Sequence, residues 1–426
     1  MKGNTKPGMS GTNSGFSSSS LSNEKKAEDK SKSKPLNEIT GTINAISNEK
    51  IKMKEEKNIV NSEKEKIIMQ NEIENINKKE KLCVTDDNNL EDRYNTKNSF
   101  VQSKYYKNKE KIKGIYGFKN NRLSNNCFMN SSLQNLFHCK HFLQCMKSIN
   151  KNLEGKKLAN EIKILIKQID NGLDDLESKK IKDILGETIE KYRYNEQNDA
   201  NEFIILFLNQ LLKELYGIGK YEPGKIPINE MELEAFNKLE KKFFLKNKCF
   251  LLNLFYGRLK KEYYCENGHL CLIKFNNFSS ITLPQPKEFN TIEELLNLYQ
   301  KDKKLEDTIM CNTCQKECKY LIKSKIYNIP NYFILSLENE NSYNSQDISY
   351  RNILETKDFM DGINKKYYLT SLVSYYGNKK AGHYIAKVLY NNKWYHINDS
   401  YYWEIDTSEI YDKYAKILFY TIENLY

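Results

Sequence analysis

Two hydrophobic rhythms divide the chain. Met129, Leu133, Leu136 and Phe137 recur at helical spacing behind the polar stretch Ser124–Asn126, which predicts a helix over residues 127 to 138. Phe203, Ile204, Phe207, Leu208, Leu211 and Leu215 form one apolar stripe and predict a second helix over 198 to 215. Thr291 followed by Glu294 has the spacing of a capping box and opens a shorter helix. From about residue 249 the pattern changes to strand-like runs. These are CFLLNLFYGRLKKEYYC, NYFILSLE, KYYLTSLVSYYG, HYIAKVLY, KWYHIND and AKILFYTI. A helical half followed by a sheet-rich half predicts an α+β domain without internal repeats.

Residues 1 to 112 fit neither rhythm. GTNSGFSSSSLSNEKK is a flexible Gly/Ser tract, and Lys, Glu, Asn and Ile dominate the remainder of this segment. Ile67, Ile68, Ile73 and Ile76 do not sustain a heptad, so the segment reads as a disordered tail. Compact folding is expected over 113–426. Composition adds limits: 39% hydrophobic and 29% charged residues over 426 suit a globular domain with a polar appendage. No apolar stretch has the length of a membrane span, and no signal-peptide core opens the chain, so a cytoplasmic or nuclear protein is expected. Its ten cysteines are then reduced thiols or metal ligands. The net charge of +11 is spread through mixed Lys/Glu/Asn sequence with no aromatic-lined basic element, which argues against nucleic acid as a partner.

Candidate chemistry centres on Cys127, placed where a polar loop becomes a helix. The unpaired N–H groups and partial positive charge of a helix start favour thiolate over thiol. The plainer reading, a small buried hydrophobe, is what a cysteine alone usually is. A nucleophilic cysteine needs a base, and the chain has five histidines. His138 and His141 sit at the far end of the Cys127 helix, about two to three turns away. His383 precedes a strand-forming run and comes after Gly382, which leaves space for a base facing a cleft. His396 is the rival base. Asn398 and Asp399 close the next strand, where a side-chain oxygen can hold the imidazole in one tautomer.

These segments resemble the motifs of the ubiquitin-specific protease family. GFKNNRLSNNCFMNSSLQNLFH is similar to the family's cysteine box, GLxNxGNTCYMNSxLQxL, and LVSYYGNKKAGHYIAKVLYNNKWYHINDS to its histidine box. QNDANEF resembles QQDAxEF, and AKILFY the terminal strand AYxLFY. The four occur in the family's order across 114–426. The resemblance implies a papain-like cysteine peptidase with a helical thumb, an antiparallel β palm and β-fingers at about 250–335. It implies Cys127 as nucleophile, His383 as base and then acid, Asn398 in the third position with Asp399 beside it, and Gln197 and Asp199 at the substrate. The expected partners are ubiquitin and ubiquitinated proteins, the expected form a monomeric catalytic domain, and catalysis needs no cofactor.

The chain departs from the family in places. Arg122 stands five residues before the cysteine, where the family has its oxyanion-stabilising asparagine. Asn120 matches GLxN but is two residues further away; it remains the candidate donor, with Asn121 and Asn125 as substitutes. The loop also lacks the family's glycine. Asn198 replaces a glutamine, and Asp199 with Glu202 has the spacing of a helix cap, which accounts for both without substrate. In the fingers, Cys311 and Cys314 form one CxxC knuckle. The partner knuckle keeps Cys265 but has Gly268 in place of its second cysteine, with His269 next in the chain. Cys265, His269, Cys311 and Cys314 can make a structural zinc site, with Cys271 or Cys318 as substitutes; the alternative is fingers that stand without metal. The leading expectation is a deubiquitinating thiol peptidase. The alternatives are a catalytically weak or inactive ubiquitin-binding scaffold, and a protease for a ubiquitin-like modifier.

Overall fold

The computed structural model describes residues 111–120, 124–149, 153–217, 249–337, 347–377 and 382–423. All lie in the second of the two units into which the chain divides, Asp87–Tyr426. The tail read over residues 1–112 is therefore outside the described residues except for Lys111 and Ile112, as are Asn121 and Arg122.

The helices are α1 (Cys127–His138), α2 (Lys140–Ser148), α3 (Lys157–Asp170), α4 (Lys179–Gly186), α5 (Ala200–Tyr216), α6 (Phe250–Phe255) and α7 (Ile292–Tyr299). α5 starts where Asp199 Oδ1 accepts the Glu202 N–H at 2.9 Å and stops at Gly217, whose φ of 65° ends the helix in the left-handed conformation. Its stripe from Phe203 to Leu215 is buried, each side chain contributing about 1.5–3 kcal/mol of burial. α7 carries the capping box of Thr291 and Glu294.

α1 is buried nearly all round, although half of its residues are polar. Backbone acceptors take up the side-chain donors, while Gln134 Oε1 and Asn135 Oδ1 stay without a partner among the described residues. Gln134 Nε2 donates to Tyr116 O at 2.8 Å, Ser132 Oγ to Phe128 O at 2.7 Å, and Asn135 Nδ2 to Ser131 O at 2.8 Å and Leu372 O at 3.3 Å. Buried polar groups are tolerated when hydrogen-bonded in this way.

Twelve strands are described: β1 (Gly257–Cys265), β2 (Leu270–Phe278), β3 (Ile281–Leu283), β4 (Lys303–Cys311), β5 (Lys316–Asn328), β6 (Tyr332–Leu337), β7 (Ile353–Glu355), β8 (Lys366–Gly377), β9 (Gly382–Tyr390), β10 (Lys393–Asn398), β11 (Tyr401–Ile405) and β12 (Ala415–Ile422). β2-β1-β5-β4 form a four-stranded sheet, and β11-β10-β9-β8-β12-β6-β3 a larger one, with β7 added against β8. Every pairing is antiparallel except that of β3 with β6. The fold is α+β. The larger sheet is covered on both faces: Ile417 and Phe419 of β12 join the helical core, while Leu418 and Tyr420 pack on the other side with Leu295 and Leu296 of α7. That is why β12 reads as a continuous apolar run.

One strand reading is corrected. Within CFLLNLFYGRLKKEYYC, residues Phe250–Phe255 form helix α6, and the strand begins at Gly257. An unbroken apolar run has no period to separate helix from strand. Leu251, Leu252, Leu254 and Phe255 join the helical core. No described helix is long and apolar enough to cross a membrane.

Candidate active site

The start of α1 lies against the end of β10 and the start of β9. Gly117 makes that approach possible: a Cβ there would sit 2.6 Å from Ser400 Cα and 2.7 Å from its carbonyl carbon. Phe118 N–H donates to Asp399 O at 2.9 Å, which ties the segment before α1 to the turn after β10. Asp399 occupies that turn with φ of 51°, a left-handed conformation Asp tolerates better than most residues.

Cys127, the first residue of α1, is buried, with 4% of its surface exposed. His383 opens β9 and hydrogen-bonds the Cys127 thiol. Its Nε2 lies 2.7 Å from Asn398 Oδ1 and 3.7 Å from Asp399 Oδ2. Burial alone would lower the His383 pKa. The hydrogen bond to Cys127, the Asp399 and Cys127 charges and the bond to Asn398 outweigh burial and hold it at about 9. The arrangement favours an imidazolium facing the Cys127 sulfur.

His396 is placed elsewhere. Its ring stacks on Trp403 with centroids 4.1 Å apart, and its Nε2 has no partner among the described residues. Burial, reinforced by the Lys387 charge, pushes its pKa down to about 3. His138 and His141, at the far end of α1 and the start of α2, also stay away from the thiol, the first stacked on Tyr116 and the second bonded to Tyr332.

Asn120 reaches the site, but its amide is engaged. Nδ2 donates to Asp399 Oδ2 at 2.9 Å, and Oδ1 accepts from Ser124 Oγ and the Asn126 N–H, each at 3.1 Å. It thus holds the carboxylate and the loop. Asn130, which sequence reasoning missed, does the same from inside α1. Its Nδ2 donates to Asp399 Oδ1 at 2.7 Å, and its Oδ1 accepts from Ser178 at 2.6 Å. Its match to the asparagine of CYMNS in the cysteine box, one turn after the cysteine, was its available signal. Burial raises the Asp399 pKa; the His383 charge and the two amides pull it back only partly.

Gln197 comes closest to the sulfur of the two substrate candidates. Its Nε2 donates to Gly382 O at 2.6 Å and lies 3.8 Å from Cys127 Sγ. Asp199 caps α5, and no described hydrogen bond directs it at the thiol. The Gln197 amide, shared with Gly382 O, thus lies beside the sulfur, as does the N–H of Cys127, which at the first position of α1 has no partner within the helix.

A second cluster lies at the far end of the four-stranded sheet. His269 Nδ1 lies 3.5 Å from Cys265 Sγ, 3.3 Å from Cys314 Sγ and 3.9 Å from Cys311 Sγ, and Cys265 and Cys314 sulfurs are 4.0 Å apart. All four donors fall within 4.8 Å of one another. A tetrahedron built on Zn–S bonds of about 2.3 Å has edges of about 3.8 Å, so these residues fit zinc. Gly268, with φ of 81°, provides the turn between Cys265 and His269. The Cys314 N–H donated to Cys311 Sγ, at 3.4 Å, is the main influence drawing that thiol down to about 7. Cys271 and Cys318 adjoin the cluster, their thiols directed to His269 O and Lys316 O.

Residues 116–420 match the family model described as ubiquitin carboxyl-terminal hydrolase. The chain is 26% identical over 319 residues to a probable ubiquitin carboxyl-terminal hydrolase 4 of Schizosaccharomyces pombe, covering 65% of this chain and 53% of the relative. It is 22% identical over 350 residues to ubiquitin carboxyl-terminal hydrolase 21 of Homo sapiens, covering 72% and 62%. The chain thus spans about half the length of the curated relatives it matches. Among solved structures, its fold is similar to a chain of the SAGA Ubp8/Sgf11/Sus1/Sgf73 DUB module bound to ubiquitin aldehyde. The TM-score is 0.53 at 20% identity, over 76% of this chain and 75% of that one.

Proposed function

The chain belongs to the ubiquitin carboxyl-terminal hydrolase family, and on that premise we propose that it is a cysteine-type deubiquitinase. Its substrate is ubiquitin joined through its C-terminal glycine to an amine, as a peptide or isopeptide. The observation that carries the reading is the contact chain from Cys127 to His383 to Asn398, with the sulfur at a helix start.

The chemistry runs in two halves. The Cys127 thiolate attacks the glycine carbonyl, and the oxygen takes up negative charge facing the Cys127 N–H and Gln197 Nε2. As the tetrahedral centre collapses, His383 gives its proton to the departing amine, leaving a thioester. A water then attacks that carbonyl while His383 takes its proton, and collapse returns the sulfur to Cys127 and releases ubiquitin. Asn398 Oδ1 accepts from His383 Nε2 and fixes the ring; Asp399 supplies charge, held by Asn120 and Asn130.

Zinc, when bound by Cys265, His269, Cys311 and Cys314, would tie the two hairpins of the four-stranded sheet together. Four protein ligands leave no position for water, so its role is structural. We assign the reaction to a reducing compartment, cytosol or nucleus, because it requires a free thiol.

A second reading, a ubiquitin-binding scaffold with weak or no activity, draws support from Asn120, whose amide serves Asp399 instead of facing the sulfur. Labelling with a ubiquitin carrying a C-terminal electrophile, combined with peptide mapping and a turnover assay, separates the two. An adduct on Cys127 with turnover abolished in Cys127→Ser supports the peptidase. Binding without adduct or turnover supports the scaffold, and reaction only with a ubiquitin-like probe redirects the substrate. Elemental analysis should find about one zinc per chain, and a value near zero would remove the metal proposal.

A further inference from the structure

Lys182, on α4, is a charged side chain buried beside the active site, with 4% of its surface exposed. Among the described residues it forms no ion pair with a carboxylate; its Nζ donates to three neutral oxygens. These are Ser124 O at 3.0 Å, Asn126 Oδ1 at 3.2 Å and Asn195 Oδ1 at 3.4 Å. An ammonium is expensive to bury without a counter-charge, and burial draws its pKa below the ordinary lysine range. A hydrophobic residue would fill the same space without that penalty, so the function of the ammonium lies in the partners it holds.

All three acceptors belong to two segments beside the sulfur. Ser124 and Asn126 stand immediately before Cys127, and Asn195 stands two residues before Gln197. The segments are stitched a second time, since Asn125 Nδ2 donates to Asn195 O at 2.8 Å. One segment leads into the Cys127 N–H and the other carries the Gln197 amide, the two donors near the thiol.

We infer that Lys182 is a positioning residue, holding the Cys127 N–H and the Gln197 side chain together as the paired donors to the developing oxyanion. The inference rests on the peptidase reading and gives it a specific answer to the altered loop. With Asn120 engaged by Asp399, donor geometry depends on the neighbouring segment, and Lys182 joins the two. The residue touches no substrate and acts only through Ser124, Asn126 and Asn195.

The test compares the full-length wild type with Lys182→Met, Lys182→Arg and Asn195→Ala, using a ubiquitin–fluorophore substrate, ubiquitin aldehyde and iodoacetamide. Losing a complete oxyanion donor costs roughly 10²–10³-fold, so a misplaced pair should lower kcat by about 10–100-fold in Lys182→Met, with KM nearly unchanged. Ubiquitin aldehyde, whose hemithioacetal on the cysteine puts its oxygen where the oxyanion develops, should lose affinity by a similar factor. Alkylation of Cys127 by iodoacetamide forms no oxyanion and should change by less than about threefold. Lys182→Arg should restore part of kcat. Asn195→Ala keeps the ammonium and cuts only the link to the Gln197 segment, so it reports even if Lys182→Met fails to fold; it should show the same pattern with a smaller loss. Retention of wild-type kcat by the folded variants, or equal loss of alkylation and aldehyde binding, would overturn the positioning role. Failure of the wild type to turn over ubiquitin would instead overturn the peptidase reading, and this inference with it.

Discussion

Replacing Cys127 with Ala should change the charge state of His383, and that change bears on the second half of the proposed reaction. Cys127 supplies two of the four influences that raise the His383 pKa to about 9, the leading hydrogen bond and a negative charge. The difference from 6.5 corresponds to about 3 kcal/mol, at roughly 1.36 kcal/mol per pKa unit. Asp399 Oδ2 remains in the variant, 3.7 Å from Nε2. A full charge at such a distance is worth about 4 kcal/mol at an effective dielectric of 20. However, Asn120 and Asn130 draw on that carboxylate, and burial of the imidazole opposes the charged form. Loss of the sulfur should therefore bring His383 down from about 9 toward the ordinary imidazole range. The thioester intermediate neutralises the same sulfur, so the same fall would turn His383 from proton donor into a base for water near neutral pH. NMR titration of ¹⁵N-histidine-labelled protein reads this directly, with His383→Gln assigning the resonance. A value still near 9 in Cys127→Ala would mean that Asp399 holds the proton, and the acid-to-base switch would be wrong.

Gly117→Ala should lower both kcat and melting temperature, because its Cβ would meet the Ser400 backbone and push Asn398 and Asp399 away from His383. Unchanged turnover would show that the turn can yield without disturbing the site. His396→Phe should flatten the acid limb of stability. Between pH 6.5 and about 3 the unfolded chain binds a proton that buried His396 refuses, so stability falls with pH by up to about 1.4 kcal/mol per unit. Urea titrations from pH 7 to 4.5 should show a shallower slope in the variant, and an equal slope would mean that His396 accepts its proton in the fold.

How much of the fold is legible in the sequence depends on how local each signal is. α1, the cap of α5 and the Thr291–Glu294 box depend on spacing within one or two turns, and the structure has them close to the expected residues. α6 reads as strand because Phe250–Phe255 offers six residues with almost no polar break. α2 and α4 span only nine and eight residues, about two turns each, too little chain for their apolar spacing to stand out. α3 does carry a period, in Leu158, Ile162, Leu165 and Ile169, yet it is missing from the predicted helices. The motifs indicate Cys127, His383 and Asn398 as a group. They hold Asn130 only as a matching letter of the cysteine box, without its role, and say nothing of Lys182; the partners lie 269 residues away in one case and 56 in the other. A lysine in KKIKDILG looks like any solvated helix residue until the neighbouring loop closes over it.

The departures from the family pattern therefore look different in three dimensions. The loop lacks its glycine, but Asn125 takes a left-handed conformation, φ 48°, which asparagine adopts at lower penalty than most residues, and its side chain bonds Asn195 O. Asn120 lies two residues further from the cysteine, and there it reaches across to Asp399 while accepting the Asn126 N–H. Among the described residues, the segment just before the cysteine is held by asparagine side chains and the buried ammonium of Lys182. A glycine loop presents donors through backbone shape alone, whereas this one depends on side-chain hydrogen bonds. Its oxyanion geometry should consequently be more sensitive to single substitutions at Ser124–Asn126 and Asn195 than to changes of backbone flexibility in the same loop. Asn125→Gly tests this: it relieves the left-handed strain yet removes the bond to Asn195, so turnover should fall even where stability holds. Turnover at or above wild type would show that backbone shape, and not the side-chain network, sets the donors.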